Sequence, residues 1–98
     1  MAKYLVTWEG DRSRFPADPK ERAKLVAGML EMTKQMITAG KTKDWGIFLN
    51  GTAGYSVREG EALELMNDLQ KFGPYISFNV QQVLSVDEVL EAMKSMMG

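Results

Sequence analysis

The chain of 98 residues contains no cysteine and no histidine. The first absence excludes disulfides, thiolate metal sites and cysteine nucleophiles. The second removes the commonest general base, the commonest metal ligand and the axial ligand of a globin-type haem site. An excess of one charge is lacking too: 12 basic against 13 acidic residues give a net charge of -1, without the positive surplus that binding a phosphate backbone requires. No segment approaches the ~20 apolar residues of a membrane span. Met1-Ala2-Lys3-Tyr4 opens a short strand-like run, where a secretory leader would carry a charged head and a long apolar stretch. The expectation is a cytoplasmic protein with neither nucleic acid nor membrane as partner.

What remains is the composition of an ordinary globular chain, 45% hydrophobic, 26% charged and 9% aromatic, with length for one domain spanning 1–98. Tyr4-Leu5-Val6-Thr7-Trp8-Glu9 is aromatic and β-branched and stops at Gly10-Asp11, a first strand. Arg12 to Ala17 read as a loop. Asp18-Pro19-Lys20-Glu21 carries an N-cap, a proline for the first helical position and a glutamate three residues after the cap. The helix that follows gathers Leu25, Val26, Met29, Leu30, Met32, Met36 and Ile37 on one face, and Gly40 is placed to end it. Trp45 to Leu49 and Gly54 to Val57 form two strands around Asn50-Gly51. A helix over 61–72 carries Leu63, Met66 and Leu69 before Gly73-Pro74. Ile76, Phe78 and Val80 alternate with Ser77, Asn79 and Gln81 in a last strand. Ser85-Val86-Asp87-Glu88 is a capping-box pattern that starts a short helix striped by Val89, Leu90, Met93, Met96 and Met97.

The succession β-α-β-β-α-β with an appended helix predicts an α+β, ferredoxin-like split β-α-β arrangement whose helices cover one sheet face. The hairpin register is open to a parity argument. A two-residue Asn50-Gly51 loop sets Trp45 and Ile47 opposite Ser56 and Gly54, mixing apolar and small polar residues on a face. An odd loop with Gly51 in the left-handed region pairs Ile47 with Ala53 and Trp45 with Tyr55, and is preferred because it keeps the apolar residues together.

Four stretches carry a resemblance: Tyr4 to Glu9, Lys43-Asp44-Trp45-Gly46, Gly54-Tyr55-Ser56-Val57, and the run from Tyr75-Ile76-Ser77-Phe78 to Val83-Leu84-Ser85-Val86-Asp87. Together they resemble small uncharacterised prokaryotic proteins of the dimeric α+β barrel superfamily, with Gln82 standing where those relatives carry proline. The resemblance implies a homodimer. The superfamily also holds muconolactone isomerase-like enzymes, cofactor-free monooxygenases and haem-degrading relatives, so it implies an architecture and no particular activity.

Several groups invite chemistry. Glu9 and Asp11 offer too few oxygens for a calcium or magnesium site and read as a solvated strand end. Arg12 and Arg14 beside Phe15 could grip an anion but read as ordinary surface arginines. Trp8, Trp45 and Tyr55 are suited to an aromatic wall or to a packed core. Gly51-Thr52-Ala53-Gly54 sits in a hairpin and lacks the helix start and lysine of a phosphate loop.

Strand alternation sets Val6, Trp8, Ile47, Tyr55, Val57, Phe78 and Val80 toward the helices. It leaves Thr7, Glu9, Phe48, Ser56, Asn79 and Gln81 on the other face as the candidate ligand site. The reading is a small homodimer that binds a small organic molecule in this sheet cavity, with no cofactor and no metal. The competing class is a cofactor-independent isomerase or monooxygenase.

Overall fold

The computed structural model describes residues 2–97, so Met1 at the head of the first predicted strand lies outside the described residues. The four strands are β1 (Lys3–Gly10), β2 (Thr42–Ile47), β3 (Ala53–Glu59) and β4 (Ile76–Val83). The α-helices are α1 (Pro19–Thr38), α2 (Ala62–Gln70) and α3 (Val86–Met97). A 3-10 turn, Arg12–Arg14, replaces part of the expected loop, because Asp11 Oδ1 accepts from the Ser13 amide at 3.1 Å and from its hydroxyl at 2.6 Å.

Helix ends follow local chemistry. Asp18 occupies the N-cap of α1 through its backbone, its carbonyl accepting from the Arg22 amide at 2.9 Å, but its side chain makes no capping bond. At the other end Gly40 takes φ 80°. The Lys41 amide donates to the Met36 carbonyl and the Gly40 amide to that of Ile37, a Schellman closure. The capping box of α3 is complete: the Ser85 amide donates to Glu88 Oε1 at 2.9 Å and the Glu88 amide to Ser85 Oγ at 3.1 Å.

The strands form one antiparallel sheet in the order β2-β3-β1-β4, consistent with a ferredoxin-like arrangement. The hairpin corrects the predicted register. Trp45 pairs with Ser56 and Ile47 with Gly54, and the Phe48 amide donates to the Ala53 carbonyl at 2.8 Å. The loop is 49–52, closed by the Gly51 amide on the Phe48 carbonyl, with Gly51 at φ 79° and Asn50 Oδ1 accepting from the Thr52 amide.

Parity of apolar residues loses here to the fit of rings over glycines. A Cβ on Gly54 would collide with the Gly46 carbonyl oxygen and the Trp8 indole, and one on Gly46 would meet Tyr55 Cε1 at 2.5 Å. Trp8 thus covers Gly54 on one face and Tyr55 covers Gly46 on the other, which holds the register from both sides. In consequence Ser56 and Arg58 turn to the helix side, while Tyr55 and Val57 turn to the open face, the reverse of the prediction for Ser56, Tyr55 and Val57.

The core lies on the helix side around Val6, Leu65 and Phe72, with Thr42, Ser56, Arg58 and Asp68 buried among them. The inward stripe of α2 is Leu65, Asp68 and Leu69, continued by Phe72 in the turn after it; of the expected residues Leu69 belongs to it, whereas Leu63 and Met66 are 70% and 59% exposed. Pattern reading misses this because the true stripe contains a carboxylate. On α1, Val26, Met29 and Met36 are half-buried, while Leu30 and Ile37 are exposed. Among the described residues no layer covers the open face of the sheet, where Lys3, Leu5, Thr7 and Glu9 are exposed. Every residue of α3 is exposed, and the chain measures 62 × 25 × 22 Å. Among the described residues no helix is long and apolar enough to cross a membrane.

Candidate functional site

The six residues expected to form a ligand site do not share a face. Thr7 and Asn79 are direct partners across β1 and β4, Glu9 lies beyond Thr7 and Gln81 opposite Leu5, all exposed on the open face. Phe48 follows the end of β2 and is 49% exposed. Ser56 is buried on the opposite side of the sheet, against Val6. Of the six, only Ser56 lines the cavity on the helix side of the sheet.

That cavity, of about 170 Å³, lies between the helix side of the sheet and α1, with α2 at one end. Trp8 and Trp45 form its floor, stacked with ring centroids 5.7 Å apart and planes at 14°. Their alternation on β1 and β2 and the absent side chain at Gly54 make this stack fit. Phe72 and Phe78, edge to face at 5.9 Å, flank it, and Val26, Met29 and Met36 of α1 cover it. Of the three aromatics read as a wall or a packed core, Trp8 and Trp45 therefore stand together and Tyr55 does not. On the other face the Tyr55 hydroxyl donates to Asp44 Oδ2 at 2.9 Å, and this bond, with burial, holds the phenol above its usual pKa.

Polar groups inside the cavity are few. The Thr33 hydroxyl is used within α1, donating to the Met29 carbonyl at 3.0 Å. Trp8 Nε1 and Arg58 Nε are buried and, among the described residues, have no hydrogen-bond partner. Both atoms can only donate.

Arg58 is held by a charge cluster that the sequence reading did not find. Its Nη2 lies 2.6 Å from Asp68 Oδ2, with the two residues 4% and 3% exposed. Lys71 and Lys41 reach Asp68 at 3.4 and 3.9 Å, and Lys41 also pairs with Glu64 at 2.7 Å. Burial pushes the Asp68 carboxyl up, but the hydrogen bond and charge of Arg58, with Lys41 and Lys71, outweigh it and leave the pKa below the usual carboxylate value. Lys41 is raised, first by its hydrogen bond to Glu64 and then by Asp68. The available signal was the pair of glycines facing large rings: it fixes the hairpin register, and the register puts Arg58 inside.

The two loop arginines separate. Arg12 lines the cavity near its mouth with Phe15 and Gly51, whereas Arg14 pairs with Asp11 at 3.8 Å. Asp11 is thus engaged by Ser13 and Arg14. The site belongs to an α+β protein with a four-stranded antiparallel sheet and a largely apolar, partly open cavity floored by two tryptophans. No protein-family model matches the sequence, and no match is found among curated proteins.

Proposed function

We propose that the protein is a homodimer of the dimeric α+β barrel type that binds a small, single-ring organic molecule in the helix-side cavity. A volume of about 170 Å³ is close to the ~150 Å³ at which an engineered apolar cavity accepts benzene. The observation that carries the reading is a mostly apolar cavity lined by the stacked Trp8 and Trp45 and by Arg58, with two buried donors, Trp8 Nε1 and Arg58 Nε, that lack a partner among the described residues. An unmade hydrogen bond costs roughly 1–3 kcal/mol per buried group, so a ring bearing acceptor oxygens gains both apolar contact and polar partners there.

Dimerisation draws support from the open face. Leu5 pairs across the sheet with Val57 while Val83 lies beside Lys3, an apolar group with no layer over it. Uncovered patches of this kind mark interfaces. Native mass spectrometry of freshly purified protein tests both parts: a dimer retaining about one small molecule per protomer is expected. A monomer at micromolar concentration contradicts the assembly. Tryptophan emission that no single-ring compound alters contradicts the cavity.

A further inference from the structure

We infer that the cavity selects an organic anion, a single ring bearing a carboxylate, and that the carboxylate meets the Arg58 guanidinium. The inference rests on the proposed binding role of the cavity and names the class of ligand. Among the described residues the only ionisable side chains lining the cavity are Arg58 and Arg12. No acidic side chain lines it.

Arg58 has a donor to spare. Of its five N–H donors, one on Nη2 goes to Asp68 at 2.6 Å and one on Nη1 faces the Met36 sulfur at 3.6 Å, a weak acceptor, while Nε has no partner among the described residues. The carboxylates around Arg58 lie off the cavity: Asp68 pairs with it, and Glu59, Glu61 and Glu64 border it in a separate small pocket, so the cavity lining itself carries guanidinium and no carboxylate. A guanidinium in such a wall favours an anion over a neutral molecule of equal shape. Apolar walls and limited volume favour a planar carboxylate on a ring over a strongly hydrated phosphate. At the mouth, Arg12 and Arg22 border an adjoining groove with Phe15, an arrangement that draws anions inward.

Benzoate and toluene, nearly equal in shape and different in charge, make the test, with tryptophan emission from Trp8 and Trp45 reporting occupancy. Benzoate is expected to bind at least roughly tenfold more tightly, the scale of one charge-assisted hydrogen bond. The double variant Arg58→Met/Asp68→Leu removes both charges together and so avoids a stranded buried ion. In it toluene binding is expected to persist and the preference for benzoate to vanish. Equal affinities in the natural protein overturn the anion and leave the cavity as a binding site. A preference that survives in the double variant overturns the role of Arg58. Failure of both compounds to bind overturns the binding role itself and the anion with it.

Discussion

Arg58 and Asp68 are an ion pair that is costly to break from one side. Removing Asp68 leaves a guanidinium buried at 4% exposure, and Asp68→Ala is expected to destabilise the protein by about 3–5 kcal/mol in urea unfolding. The pair also sets a pH signature. A carboxyl held below its unfolded pKa of about 3.9 stabilises the fold at all higher pH and loses that contribution as pH falls through the lower folded value. The advantage of the natural protein over Asp68→Asn is therefore expected to be constant at neutral pH and to shrink only below about pH 4. An advantage unchanged down to pH 2 would count against the pairing. Two glycines give opposite expectations. Gly54→Ala drives a methyl into the Trp8 ring and the Gly46 carbonyl and should cost about 1–3 kcal/mol, with a changed near-ultraviolet dichroism of the tryptophan pair. Gly28, inside α1 with nothing within 4 Å, should gain roughly 0.5–1 kcal/mol as alanine.

At the scale of elements, the sequence made the strands, helices and caps legible wherever the signal was local. The Ser85–Glu88 box, the stop at Gly40 and the alternation of β1 need only neighbours in sequence, and each is present; in β4 the alternation holds at Ile76 and Phe78 and ends at Val80, which is 40% exposed. What was illegible depended on partners distant in the chain. The hairpin register answers to Trp8 lying over Gly54, forty-six positions away in sequence, and the stripe of α2 answers to Arg58 on β3. A hydrophobic pattern discounts glycine as empty and aspartate as solvated, and both discounts fail here. The candidate site failed with the register: Ser56 left the open face and Arg58 entered the cavity unannounced. The helix α3 offers a separate expectation. It is capped but uncovered, with Val89, Leu90 and Met93 46%, 54% and 46% exposed. Truncation after Ser85 should leave the unfolding of dilute protomer nearly unchanged and weaken association by a few kcal/mol at ~1.5–3 kcal/mol per buried side chain, less ordering costs. A truncated protein that associates as strongly as the full chain would remove α3 from the interface.

For the whole molecule, the two sheet faces divide the work. The helix side holds the stacked tryptophans, the buried arginine and the cavity, while the open side carries Leu5 and Val57 toward the proposed partner copy. Sedimentation should show a dimer at micromolar concentration, and a single monomeric boundary would oppose that division. The most direct measurement of the ligand site is amide and indole chemical-shift mapping by nuclear magnetic resonance during a benzoate titration. The Trp8 indole N–H, a buried donor without a partner among the described residues, should shift strongly together with the Ser56 and Thr33 amides, while those of Thr7, Asn79 and Gln81 stay in place. Movement confined to Thr7, Asn79 and Gln81, with the Trp8 indole unmoved, would place the site on the open face and contradict the account.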